Sequence, residues 1–193
     1  MKQNDVLDVS GHLQIYKIYK DGTEEMVYDD HNVITSGMGV GIATLFAGQG
    51  SSIEDFQIRY FQVGSGAPTT YDFQQFKLEA PLNDGSFYGE TTIKSTHRRM
   101  EPDGTGSSDE VFALITDNNI KKSSTTSVTY ILYIAEDADI PDQINEIGLF
   151  MANPLAIWID PRERRSPLAA YRQFTDLKKT SEFSLVFKWK LNF

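Results

Sequence analysis

The 193-residue chain contains no cysteine. A disulfide framework, a thiolate metal centre and a cysteine nucleophile are therefore all closed to it, and packing and hydrogen bonds alone must hold the fold. Histidine is scarce, with three residues at positions 12, 31 and 97. Their distribution gives no support for a catalytic triad, and the Gly-x-Ser-x-Gly elbow of such chemistry is missing as well. There is no run of about 18 uncharged apolar residues, and Met1 to Ser10 has no apolar core segment, so the expectation is a soluble, non-secreted protein with no membrane role. Positive charge is in deficit. With 18 Lys and Arg against 27 Asp and Glu the net charge is −9, which opposes a broad phosphate-binding surface and excludes nucleic acid as an expected partner. The basic groups His97-Arg98-Arg99, Lys121-Lys122 and Arg162 to Arg165 are short, carry no interleaved aromatics and read as solvated loop charge.

What the chain has in quantity is β pattern. Phe183, Leu185, Phe187, Trp189, Leu191 and Phe193 occupy every second position, so a strand here carries one apolar ridge and the end of the sequence is core. Gly11 to Tyr19 and Glu24 to Tyr28 flank Lys20-Asp21-Gly22-Thr23, a strong hairpin cue that predicts an N-terminal hairpin over 11–28. From Thr35 the period changes. Met38, Ile42, Leu45 and Phe46 fall at helical spacing, Thr35 or Ser36 suits the N-cap and Gly48 the stop, which predicts one short helix near residues 36–47. A second stripe of small residues, Gly37, Gly41, Thr44 and Gly48, would let a neighbouring backbone approach closely. Further strands are expected at Phe56 to Val63, Val111 to Thr116, Ser127 to Ala135 and Ile144 to Met151. Leu78, Leu82, Phe87 and Tyr88 mark another stretch, Glu90 to Thr96 one more, and Glu101 to Asp109 reads as a loop tip. Ser127 to Ala135 is apolar on both faces and is expected to run through the middle of a sheet. Many short strands, one helix and turn clusters add up to a mainly β protein, a single-domain antiparallel β-sandwich of jelly-roll-like form over 1–193.

Candidate chemistry is thin. Gly37-Met38-Gly39-Val40-Gly41 opens the helix where a phosphate loop would sit, but no third dinucleotide glycine, no Lys-Ser/Thr pair and no βαβ unit accompany it, so helix packing explains it better. Of Asp29-Asp30-His31, only Asp29 and His31 could share a metal, because adjacent strand residues point to opposite faces. Asp137, Asp139 and Asp142 form a loose acidic loop that lacks the glycine and closing glutamate of a calcium hand and contains Pro141. A glycosidase-type carboxylate pair is a property of the fold and cannot be read here. No cofactor is implied. The best surface candidate is Asn153 to Pro161, an apolar patch fenced by prolines and followed by a basic run: Leu155, Ile157, Trp158 and Ile159, then Arg162, Arg164 and Arg165. It fits a sheet edge, a core-capping loop or a partner contact, since Trp and Arg are enriched at binding hot spots.

Four stretches, in order, resemble the β-rich structural proteins of tailed-bacteriophage tails, baseplates and fibre bases. They are Asp30-His31-Asn32-Val33-Ile34-Thr35 before a glycine-containing helix; Phe61-Gln62-Val63-Gly64-Ser65-Gly66; Ile144-Asn145-Glu146-Ile147-Gly148-Leu149-Phe150; and Leu168 to Phe193, with Phe174, Lys179-Thr180 and Trp189. Met151 to Pro167 is longer than the turn expected between the last two, which suggests an inserted loop. The resemblance implies a non-enzymatic virion protein, a homo-oligomer in a symmetric assembly, put together in the host cytoplasm and acting as an adaptor between tail or baseplate and fibres. The competing expectation is a glycan- or receptor-binding module using Trp158, Tyr171 and loop carboxylates. A neck or collar component and a polysaccharide depolymerase rank lower.

Overall fold

The computed structural model describes residues 9–48, 56–66, 78–90, 92–100, 107–138, 140, 143–152 and 167–193. Among them the elements run β1 (Ser10–Tyr19), β2 (Glu24–His31), β3 (Val33–Ile34), α1 (Ser36–Phe46), β4 (Ile58–Gly64), β5 (Lys94–Met100) and β6 (Ser107–Leu114). They continue with β7 (Ile120–Lys122), β8 (Ser127–Ile134), β9 (Gln143–Met151), β10 (Leu168–Lys178) and β11 (Phe183–Asn192); short 3-10 turns lie at Gly85–Tyr88 and Asp117–Asn119. One sheet has the order β2-β1-β11-β8-β7 and the other β3-β10-β9-β4-β6-β5. The strands pair antiparallel, and the pattern is nested: β1 with β11, β3 with β10, β4 with β9, β7 with β8. A long ribbon folded across itself produces such nesting, so the protein is the jelly-roll-like sandwich its alternation predicts.

Alternation dictates which side chains meet. Leu13 and Ile15 of β1, Leu132 and Ile134 of β8 and the β11 ridge face Phe61 and Val63 of β4, Ile147 and Leu149 of β9 and Ala169 of β10, all in one buried cluster. Five members of the C-terminal ridge, Phe183 to Leu191, are buried, whereas Phe193 lies past the last paired residue and is 42% exposed. Trp189, fully buried, donates its indole N–H to Asn32 Oδ1 at 2.8 Å. A buried indole needs such an acceptor. Arg172 of β10 donates to the Tyr28 hydroxyl and the Asp30 carboxylate of β2, tying the two sheets along one side.

Several expectations are corrected. β8 does lie inside its sheet, between β11 and β7, but only its inner face is closed and Tyr133 on the outer face is 43% exposed. The strand buried on both sides is β9, where every residue from Ile144 to Met151 is covered. Its outer face carries a second cluster of Phe112, Phe150, Leu168 and Tyr171, closed over by Leu78. The Leu78 to Tyr88 stretch is therefore a cover and not a strand; it makes one isolated bridge, Pro81 to Gly64, and ends in a 3-10 turn. The strand expected at Glu90 to Thr96 begins four residues later, at Lys94.

Helix α1 occupies the expected residues and ends at Ala47 with Gly48 at φ +65. Its apolar stripe is split, with Met38 buried in the core and Ile42 packed against it. The small-residue stripe makes the close approach: a Cβ at Gly37 would strike the Leu168 carbonyl oxygen, and one at Gly41 would lie 2.6 Å from Met151 Sδ. Met38, Gly41 and Thr44 are buried, while Leu45 is 42% and Phe46 88% exposed. Thr35 sits at the N-cap position but donates its hydroxyl to Leu168 O, so the helix is fastened to β10 by its first residue. Glycine weakens a free helix by about 1 kcal/mol relative to alanine, and this docking supplies the support that such a sequence needs.

Candidate functional site

Two places combine chemistry with position, and the first is buried. Glu146 is fully buried on the outer face of β9. Its Oε1 accepts the backbone N–H groups of Gly66 (3.2 Å) and Ala80 (2.7 Å). Oε2 accepts Glu79 N–H (3.0 Å) and the Tyr171 hydroxyl (2.9 Å). Hydrogen bonds to an ionised acceptor are about twice as strong as neutral ones, so four of them hold the segments at 64–66 and 78–80 against the sheet. The glycines of Gly64-Ser65-Gly66 make room for this. A Cβ at Gly64 would collide with Glu146 Oε1 and one at Gly66 would lie 2.6 Å from Glu79 Cβ. Residues from three stretches far apart in sequence, Gly66, Glu146 and Tyr171, thus meet at one carboxylate. With both oxygens doubly engaged and no exposure, Glu146 has no lone pair to offer a substrate, and its work is structural.

The second place is open to solvent. Met38 and Ile42 of α1, Phe56, Ile58, Met151, Ile120, Val128, Tyr130 and Phe193 line an apolar groove of about 420 Å³ at one end of the sandwich. Met38 and Ile42 form its helix side, while Leu45 and Phe46 at the end of the same stripe stay exposed. Six large apolar side chains are exposed among the described residues, and three of them, Leu45, Phe46 and Phe193, continue the helix stripe or line the groove. Exposed apolar surface gathered in one place makes this end of the sandwich the leading candidate for a contact, where single scattered residues would not.

The other candidates from the sequence fare differently from one another. His12 pairs across the β1–β2 ladder with His31 and bonds to Asp29, so two histidines and a carboxylate do gather on the outer face of that sheet. Sequence spacing could not show this, because a register shift between Ile15 and Tyr16 sets the pairing. Among the described residues no group of three or more His, Cys, Asp or Glu side chains is placed to hold a metal. Asp137 accepts the Glu90 N–H at 3.4 Å and tethers that turn; Asp139 and Asp142 lie outside the described residues, as do Leu155, Ile157, Trp158, Ile159, Arg162, Arg164 and Arg165. Tyr171, expected in a sugar platform, is buried against Glu146 and cannot stack on a ligand. No described helix is long and apolar enough to cross a membrane.

The buried phenols make a testable electrostatic signature. Burial raises the pKa of Tyr88, Tyr130 and Tyr171, that of Tyr130 to about 12, and for Tyr171 the Glu146 charge adds to the effect. A raised folded-state pKa means that the native state keeps protons the unfolded chain releases. The stability involved is whole below the ordinary phenol value of about 10 and is lost as pH rises beyond it. Near-ultraviolet titration should therefore leave some of the nine tyrosines un-ionised at about pH 11, until alkaline unfolding releases them together. Smooth ionisation of all nine with native circular dichroism would contradict that assignment.

The chain matches no family model, and neither a curated protein nor a solved structure matches it.

Proposed function

We propose that the protein is a non-enzymatic structural component of a tailed-bacteriophage virion, present in several symmetric copies and serving as an adaptor in the tail, baseplate or fibre-attachment region. The observation that carries the interaction part of this reading is the α1 groove, an apolar recess open to solvent beside the exposed Leu45 and Phe46. The four stretches that resemble tail and baseplate proteins carry the virion part. Assembly by repeated weak contacts suits such a chain, because symmetric copies bind by avidity and need no single strong site.

A glycan-binding module is the second reading, and one smaller cleft bears on it. Thr92, Ile93, Thr116, Asn119 and Tyr133 line about 190 Å³. Three of its polar side chains are already engaged: the Thr116 hydroxyl donates to Asn119 Oδ1 at 2.6 Å, Asn119 Nδ2 donates to Ile131 O at 3.0 Å, and the Tyr133 hydroxyl bonds to that of Ser184. A sugar would have to displace these bonds, which ranks the cleft below the groove.

The strands β9 and β10 pair directly on either side of residues 153–166, with Met151 N–H donating to Pro167 O at 2.9 Å. Deleting Asn153 to Ser166 and closing the gap with a short turn should therefore leave a folded protein with an unshifted thermal midpoint. The shortened protein is expected to be lost from particles or from co-complexes with tail and fibre proteins. Normal incorporation of the shortened protein would remove this segment from the contact.

A further inference from the structure

We infer that the groove is filled by helix α1 of a second copy of this chain, the two copies related by a two-fold axis passing at Ile42; this rests on the adaptor reading for its premise that the protein works in several copies. The surface has the form an isologous contact requires, in which one patch serves as both halves. Phe46 is a projecting apolar side chain, 88% exposed, and the groove lined by Met38 and Ile42 lies one turn away on the same helix. In antiparallel helices crossing at Ile42, position 46 of one copy lies opposite position 38 of the other. Phe46 then enters the facing groove from both sides at once, and each projection finds the recess beside its counterpart.

Two further observations fit a copy of this chain. The helix Ser36–Phe46 contains no charged residue, while the chain as a whole carries −9. Two copies with that net charge repel one another overall, and α1 brings no charged side chain of its own to the contact. The exposed side of the helix is also small. Ser36, Gly39 and Ala43 are open to solvent, with nothing within 4 Å of where a Gly39 Cβ would stand, so two helix axes can approach closely.

The test uses the full chain in sedimentation velocity over the micromolar range, with Phe46→Glu and Ile42→Cys variants. Wild type is expected to form an even-numbered oligomer. Phe46→Glu should weaken self-association at least tenfold with an unchanged thermal midpoint, since Phe46 is 88% exposed. Because the chain has no other cysteine, Ile42→Cys should form a disulfide-linked dimer on mild oxidation. Thr23→Cys, at the tip of the β1–β2 hairpin, should not. A wild type that stays monomeric at its highest soluble concentration overturns the inference, and so does an oligomer indifferent to Phe46→Glu. If Phe46→Glu abolishes binding to a tail protein but leaves self-association intact, the groove belongs to that protein: the self-pairing fails and the adaptor reading stands. Self-pairing through Ile42 together with indifference to every virion protein means the opposite: the inference holds and the adaptor reading fails.

Discussion

Glu146→Ala should lower stability by about 4 kcal/mol, as removal of an ionised acceptor strands several buried donors at about 1–3 kcal/mol each. In a chain of this length that corresponds to a fall in thermal midpoint of roughly 8–16 °C. The loss has two parts. Gly66, Ala80 and Glu79 N–H groups and the Tyr171 hydroxyl lose their acceptor, and the Leu78 cover over Phe112, Phe150 and Leu168 loses its fastening. Glu146→Gln separates charge from shape. Its carbonyl oxygen can still accept from Gly66 and Ala80, but its amide group then faces the Glu79 N–H as donor against donor. The expected order of midpoints is wild type, then Gln, then Ala, and limited proteolysis should cut the alanine variant first between residues 66 and 78. Equal midpoints for all three would show that the carboxylate does not hold the cover.

The second large effect is expected at Trp189. Truncating a buried aromatic side chain to alanine costs about 3–5 kcal/mol. Trp189→Ala adds the orphaned Asn32 side-chain oxygen to the cavity it leaves. Trp189→Phe keeps most of the packing and isolates the hydrogen-bond part, about 1 kcal/mol. Phe193→Ala supplies the contrast. It belongs to the same every-second-residue series, yet it lies beyond the ladder and is 42% exposed, so its replacement should change stability by less than about 1 kcal/mol. Comparable losses at both positions, measured in denaturant, would mean that the ridge extends further than β11.

The contrast between those two residues shows what periodicity can and cannot reveal. Alternation located β11, the Asp-Gly turn located the first hairpin, and the helical spacing after Thr35 located α1 to within a residue or two. None of these signals says which side of an element is covered. Two stripes on α1 satisfy the same spacing, and the helix docks on the small one together with Met38, because a carbonyl of β10 stands too close for anything larger than glycine at position 37. β8 looked doubly apolar and is covered on one side. β9 carries Asn145 and Glu146 among apolar residues and is covered on both, since the segment that covers it lies some 65 positions upstream in sequence. A lone carboxylate inside an apolar run was the one available sign of that junction, and its donors at 66, 79 and 80 become neighbours only after folding. The helix groove is similarly invisible beforehand, because which half of the apolar stripe stays exposed is decided only when the helix docks.

The nesting of the strands also has a cost in time. Asn192 stands beside Ser10, 182 positions earlier, and β11 is the strand that joins β1 to β8. Contacts of such separation are closed late and slowly, and folding in the millisecond-to-second range is the expectation for topologies dominated by them. Until β11 inserts, the β1–β2 hairpin and β8 each present a bare edge of unpaired backbone groups, the kind of surface on which neighbouring chains pair. Yield of this protein should therefore depend on concentration and temperature during refolding far more than its final stability would suggest, with the competition between insertion of one strand and capture by another molecule deciding how much chain survives.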